Sequence, residues 1–146
     1  MNNKPILLVE DNPSDIDLTK RAFVKGNIQN EIIVVEDGQE ALDFIFCKGQ
    51  YVHREKDQLP ALVLLDLKLP KVDGLEVLKK IRSAEKIRRL PVIVLTSSKE
   101  EQDIATSYDL GANSYIRKPV DFTQFASAIQ SLGNYWLVIN EQPLYV

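Results

Sequence analysis

The sequence is poor in cysteine and histidine and contains no long apolar run. Its 146 residues include one cysteine, Cys47, and one histidine, His53. A single cysteine cannot form an intramolecular disulfide, and these two residues are too few for a soft-metal site. No apolar stretch approaches the ~20 residues that a membrane-spanning helix needs, and the first residues lack the core of a signal peptide. We therefore expect a cytoplasmic protein with no membrane partner.

Clustered positive charge is also lacking. Eighteen Lys and Arg residues stand against 21 Asp and Glu residues, for a net charge of -3. Nonspecific nucleic-acid binding needs clustered cations that displace counterions from phosphates, so no nucleic-acid partner is expected. The length fits one globular domain. We expect a single domain over residues 1–133 and a C-terminal extension of the last helix, or tail, over 134–146, with no output domain.

Five short apolar segments predict β-strands, and segments of helical periodicity lie between them. The segment 61–65 is apolar without alternation, which is typical of a strand covered on both faces. Strict alternation of strands and helices predicts an α/β fold with a parallel sheet. We expect a doubly wound, flavodoxin-like sheet of order 2-1-3-4-5 with helices on both faces, the order being assumed by analogy. The predicted strands are 6–9, 31–35, 61–65, 91–95 and 114–116.

Five capping patterns predict where the helices begin. In each, an acidic, amide or hydroxyl residue is followed three positions later by a carboxylate or an amide, which can satisfy free backbone N–H groups. The segment 48–59 is polar and aperiodic, so it is interpreted as a surface loop. The predicted caps are Asn12, Asp37, Asp73, Ser98 and Asp121.

The apolar stripe of the fifth helix continues into the C-terminal tail. In helical register it reaches Trp136 and Ile139, so the helix is expected to run past Gly133, although that glycine could also end it. We expect no core to remain for covering these apolar side chains. This favours a two-fold homodimer through helix 4, strand 5, helix 5 and the tail. The alternative is a tail that folds back onto its own domain.

Polar residues follow the predicted strands at the point where each strand ends. Because the carboxyl ends of parallel strands meet at one edge of a sheet, these residues should converge. Three carboxylates would repel each other unless a cation shares the site. With no soft ligand nearby, that cation is expected to be oxygen-ligated Mg²⁺. The residues are Glu10, Asp11, Asp66, Thr96 and Lys118.

This combination indicates phosphoryl transfer. The Lys118 ammonium and the Thr96 hydroxyl can bind two phosphoryl oxygens, which leaves Asp66 as the nucleophile. An aspartate at the end of one strand is by itself more often a turn or cap residue. The joint pattern of acids, hydroxyl and lysine is what favours chemistry over that simpler interpretation.

Four motifs resemble the receiver domain of bacterial two-component response regulators, over residues 4 to about 132. They are Leu-Val-Glu-Asp-Asn, Asp-Leu-Lys-Leu-Pro-Lys-Val-Asp-Gly, Leu-Thr-Ser-Ser and Gly-Ala-Asn-Ser-Tyr-Ile-Arg-Lys-Pro. The resemblance implies that Asp66 accepts a phosphoryl group from a sensor histidine kinase. Such a protein catalyses only its own phosphorylation and dephosphorylation. The implied Mg²⁺ ligands are Asp11, Asp66 and the Lys68 carbonyl, with help from Glu10.

The same resemblance implies how a signal would arise. Thr96 and Tyr115 would form the switch pair, and Lys118 would hold the phosphoryl group, with a cis bond before Pro119. The positions that tune dephosphorylation in the family fall on Lys68 and Ser98. The long loop and the Tyr135-Trp136 tail also resemble the small receivers that accompany bacterial phytochromes, which suggests a phytochrome as the kinase.

Two other functions share the strand-end aspartate or the fold of a receiver. A haloacid-dehalogenase-type phosphatase needs a second aspartate two residues after the first, where this chain has Lys68. A protein-interaction module that keeps the receiver fold without being phosphorylated remains open, because a sequence cannot show turnover.

Overall fold

The structure is a computed structural model that describes residues 3–55, 58–97, 100–118 and 121–143. Its strands are β1 (Ile6–Val9), β2 (Ile32–Val35), β3 (Leu62–Leu65), β4 (Val92–Thr96) and β5 (Ser114–Arg117). Its α-helices are α1 (Pro13–Lys25), α2 (Gly38–Phe46), α3 (Gly74–Ser83), α4 (Glu101–Asp109) and α5 (Phe122–Asn134). Among the described residues, no helix combines the length and the apolar character needed to cross a bilayer.

The five strands form one parallel sheet of order β2-β1-β3-β4-β5. The predicted fold class and strand order are therefore confirmed. Strands β1, β3 and β4 are buried along their whole length, whereas the edge strands β2 and β5 are partly buried. Fully buried central strands need cover on both faces, and this explains their continuous apolar runs.

Two apolar layers cover the sheet. One layer joins the sheet to α2, α3 and the α4–β5 segment, and the other joins it to α1 and α5. Four residues on one face of α3 are buried: Gly74, Val77, Leu78 and Ile81. In α2, Phe44 is buried and stacks edge-on against Tyr51.

Four of the five predicted helix caps are observed. The side chains of Asn12, Asp37, Asp73 and Asp121 each accept a hydrogen bond from the first turn of their helix. The prediction for α4 was wrong, because this helix begins at Glu101 with Glu100 at the N-cap position. Ser98, the predicted cap, lies outside the described residues.

Within the predicted surface loop 48–59, the described residues 48–55 contain a turn and specific contacts. A 3₁₀ turn spans Gly49–Tyr51, and the Tyr51 hydroxyl donates to the Glu40 carboxylate at 2.9 Å. The Arg54 guanidinium donates to the Phe44 carbonyl and lies over the Phe44 ring. These contacts fasten the segment onto α2. The sequence of the segment did not predict these contacts because their partners, the Glu40 carboxylate and the Phe44 carbonyl and ring, belong to α2.

The C-terminal helix continues past Gly133, as predicted, in a π-helical segment over Tyr135–Ile139. The wider π turn shifts the helical register. Leu137 consequently enters the core beside Trp136, whereas Ile139 is 61% exposed. The predicted stripe through Ile139 was therefore wrong, as was the expectation that no core remained to cover the tail. Leu144 and Tyr145 lie outside the described residues.

Candidate functional site

The register of β1 and β3 places two carboxylates side by side. Val9 is paired with Leu65, so Glu10 and Asp66 leave the sheet at the same level. The Asp66 backbone N–H also donates to the Val9 carbonyl at 3.1 Å. Both side chains are buried, whereas the neighbouring Asp11 is exposed. Sheet pairing therefore produces the predicted convergence at the carboxyl edge.

The Lys118 ammonium joins this pair from the end of β5. It donates to a Glu10 oxygen in a short contact, to Asp66 Oδ2 at 3.2 Å and to Asp15 Oδ2 at 2.9 Å. An ammonium has three N–H groups, so three carboxylates occupy all of its donors. Glu10, Asp66 and Lys118 were predicted site residues.

Asp15 was missed because sequence reasoning placed it only in the capping pattern of α1. The position of Asp15 in the first turn of α1 could have indicated that it lies near the site. A helix that starts directly after a strand-end acid presents its first turn to the same crevice.

Burial and charge shift the pKa values of these groups in opposite directions. Burial, together with the Asp66 charge, raises the pKa of Glu10 to about 7, although Lys118 opposes the shift. Burial alone would also raise the pKa of Asp66. The Lys118 charge, with hydrogen bonds from Thr96, Glu10 and Lys118, outweighs burial and holds this pKa below its usual range. Asp66 is thus kept ionised, as a nucleophilic carboxylate must be.

Glu10, Asp11 and Asp66 form an acidic cluster. Each can offer one oxygen, and these oxygens lie within 4.8 Å of one another. A groove of about 410 Å³ opens beside Asp11, and the segment from Leu67 to Pro70 forms part of its wall. The donor set is entirely oxygen, which suits a hard divalent cation such as Mg²⁺. The residues present therefore fit the predicted metal.

The backbone of the loop after β3 helps to position the Asp66 carboxylate. The Lys68 N–H donates to Asp66 Oδ1 at 3.3 Å, and the Gly74 N–H donates to the Leu67 carbonyl at 3.0 Å. The Lys68 side chain is exposed. Its carbonyl remains a predicted ligand.

The two predicted switch residues lie on neighbouring strands. Thr96 ends β4, is fully buried, and places its hydroxyl against the Asp66 carboxylate. Tyr115 lies on β5, half-buried against the core layer of α2 and α3. Pro119, with its predicted cis bond, lies outside the described residues.

Comparison with known proteins agrees with this arrangement. Residues 6–130 match the response regulator receiver domain family. The chain belongs to that family. The response regulator Rcp1 of Synechocystis sp. is 39% identical over 134 residues, which cover 92% of this chain and 89% of Rcp1. The predicted resemblance is thereby confirmed.

Two solved structures of response regulators superpose closely on this receiver domain. The phosphorylated cyanobacterial phytochrome response regulator RcpA has a TM-score of 0.89 at 39% identity, covering 97% of this chain and 99% of RcpA. The Mn²⁺-bound form of response regulator Rcp1 has a TM-score of 0.87 at 37% identity, with the same two coverages. Receiver domains bind Mg²⁺ at an acidic pocket, and the acidic cluster described above is such a pocket.

Proposed function

We propose that this chain is a response regulator that accepts a phosphoryl group on Asp66 from the phosphohistidine of a sensor histidine kinase. The observation that carries the proposal is the setting of the Asp66 carboxylate. It is buried, lies 3.2 Å from the Lys118 ammonium and contacts the Thr96 hydroxyl, and its pKa is held below the usual range. Beyond its own phosphorylation and dephosphorylation, we propose no enzymatic activity.

The reaction requires an in-line displacement at phosphorus. An Asp66 oxygen attacks, the P–N bond of phosphohistidine breaks, and its electron pair leaves with the imidazole, which takes up a proton from solvent. Lys118 and Thr96 bind phosphoryl oxygens as negative charge develops on them. Mg²⁺, held by Asp11, Asp66 and the Lys68 carbonyl with help from Glu10, would supply positive charge to the same oxygens.

Phosphorylation would then be sensed through Thr96. Its hydroxyl turns from the Asp66 carboxylate toward a phosphoryl oxygen, and Tyr115 moves inward into the space that this leaves. The ligand favours one of two states through its different contacts with them. This part of the proposal requires that the Tyr115 ring signals shift together with the amides around Asp66.

Beryllofluoride, a mimic of the bound phosphoryl group, tests the function in one NMR titration with Mg²⁺. We expect amide shifts around Asp66. The Asp11→Ala variant should bind Mg²⁺ about tenfold or more weakly, because it loses a direct ligand, while it keeps its fold because Asp11 is exposed. Trp136 is a poor reporter, since α5 ends beside the loop before β2, at the opposite edge of the sheet.

Wild-type protein that gave no shifts at all would instead support the alternative of an unphosphorylated interaction module. Mg²⁺ affinity that was unchanged in Asp11→Ala would remove Asp11 from the ligand set.

We propose a phytochrome as the partner kinase and the cytoplasm as the site of action. The support is the similarity to RcpA, a phytochrome response regulator, together with the long loop and the aromatic tail. We also propose that residues 1–133 act as the receiver domain and that 134–146 form a C-terminal extension of it. No membrane or nucleic-acid partner is proposed.

We further propose a two-fold homodimer through the face of α4, β5 and α5, extended by the C-terminal segment. The support is three apolar side chains of one π-helical segment that remain in solvent. Tyr135, Val138 and Ile139 are 48%, 56% and 61% exposed. Clustered aromatic and aliphatic residues of this kind are typical of interfaces.

Sedimentation at tens of micromolar tests the dimer. Substitutions are preferable to removing the C-terminal segment, because truncation after Leu132 would also remove the buried Leu137. Val138→Asp combined with Ile139→Asp should convert a dimer into a monomer, because two charges would be buried at the interface. Val24→Asp on α1 is the matched control, since Val24 is 77% exposed. A wild type that is monomeric with and without beryllofluoride would contradict the proposal.

A further inference from the structure

Asp15 contacts the functional lysine from outside the acidic cluster. It occupies the first turn of α1, where its backbone N–H is held by the Asn12 side chain and its carbonyl by the Thr19 hydroxyl. The side chain takes no part in that capping. Its Oδ2 lies 2.9 Å from Lys118 Nζ, between residues 103 positions apart in the chain. The contact therefore connects α1 to the loop after β5.

This contact occupies a donor that a phosphoryl group would need. Lys118 has three N–H groups, and in this structure Glu10, Asp66 and Asp15 take one each. A phosphoryl group on Asp66 adds oxygens that compete for the same ammonium. Asp15 also adds a negative charge beside an incoming anion, and the two effects act in the same direction.

We propose that Asp15 is a positioning residue that holds part of the Lys118 ammonium away from the phosphoryl group and so lowers the affinity of Asp66 for it. The inference rests on the proposed function. It concerns how strongly the site retains the phosphoryl group.

The burial of the three carboxylates determines whether neutralising Asp15 raises or lowers the affinity for the phosphoryl group. Glu10 and Asp66 are buried, whereas the Asp15 side chain is 36% exposed. The two buried partners are therefore sufficient to keep Lys118 oriented when Asp15 is neutral. The Asp15 charge therefore competes with the phosphoryl group for the Lys118 ammonium, and solvent partly screens this effect.

The test measures beryllofluoride affinity at saturating Mg²⁺, from the amide shifts around Asp66. Asp15→Asn should bind beryllofluoride about two to five times more tightly than wild type, the range expected for one partly exposed charge. Asp17→Asn is the matched control, since Asp17 lies on the same helix, carries the same charge and pairs only with Arg21 at 3.7 Å in the described contacts. It should leave the affinity unchanged.

Two further measurements separate competition for Lys118 from a structural role. The gain should disappear in a Lys118→Met background, because the double-mutant cycle isolates the coupling between the two side chains. It should also shrink as salt rises from about 0.05 to about 0.5 M, since salt screens exposed charges. Asp15→Ser serves as a second neutral variant if Asp15→Asn fails to fold, as judged by its amide spectrum.

Equal or weaker binding by the neutral variants would overturn the inference, and so would a gain that persists without Lys118. Failure of wild-type protein to bind beryllofluoride is a different result. It would overturn the proposed function itself, before any variant is compared.

Discussion

Replacing Asp66 with asparagine is expected to abolish phosphorylation, both from acetyl phosphate and from the autophosphorylated kinase domain of a phytochrome. The side chains are nearly isosteric. The amide oxygen can still accept from the Lys68 N–H, whose distance to Asp66 Oδ1 is 3.3 Å. A neutral amide, however, cannot attack phosphorus as a carboxylate does. It also removes a charge that pairs with Lys118 at 3.2 Å.

Phosphate incorporated in a form that alkali and hydroxylamine release, as expected of an acyl phosphate, measures this effect on a phosphate-affinity gel, and labelling should fall to background. Asp73→Asn is the matched control. Asp73 closes the same loop, but it caps α3 by accepting from the Glu76 N–H at 3.0 Å, a role that asparagine also fills. Labelling of Asp66→Asn at the wild-type rate would place the phosphoacceptor elsewhere.

Replacing Gly74 with alanine is expected to cause a large loss of stability. A Cβ at this position would lie 2.2 Å from the Asp66 carbonyl oxygen and 2.7 Å from the Leu67 Cα. Both are backbone atoms, so no side-chain rotation can relieve the clash. Either α3 or the loop after β3 has to move. Overpacking of this kind costs about 1–3 kcal/mol, more than the gain in helix propensity from alanine.

The free energy of unfolding in urea measures the loss, which should be about 2 kcal/mol or more. Affinity for Mg²⁺ with beryllofluoride should fall at the same time, because the displaced backbone carries Asp66. Gly26→Ala is the control. There the new Cβ would lie 3.3 Å from Gln130 Cβ and Cγ, a tight contact that a shift of a few tenths of an ångström relieves, and the change in stability should stay within about 1 kcal/mol. Equal stability of Gly74→Ala and wild type would show that the loop tolerates the displacement.

The sequence alone was sufficient for the local elements and the chemical class of the site. Continuous apolar runs at 61–65 and 91–95 predict strands covered on both faces, and caps such as Asn12 and Asp73 predict helix starts within a residue. These signals are local because strand burial and capping depend on neighbouring residues in the chain. The acid, hydroxyl and lysine that follow the strands could likewise be listed from the sequence.

Packing between elements decided what those local signals could not. The π turn at Tyr135–Ile139 replaced Ile139 with Leu137 as the buried residue, because the core under α5 selected the register. Tyr51 and Arg54 contact the ring and the carbonyl of Phe44 on α2. The sequence of their own polar segment could not predict these contacts, because the partner belongs to another element.

The same distinction between local sequence signals and tertiary packing applies to the functional site. The sequence by itself determined which residues stand at the ends of the strands, because period, capping and turn chemistry place each strand end. Only the tertiary structure decided their distances, since Glu10 meets Asp66 through the pairing of Val9 with Leu65. It also decided that Asp15 meets Lys118, and that Gly74 must be small because it lies against the Asp66 backbone. Contacts between residues tens of positions apart depend on how strands register and helices pack, and neither leaves a periodic signal in the chain.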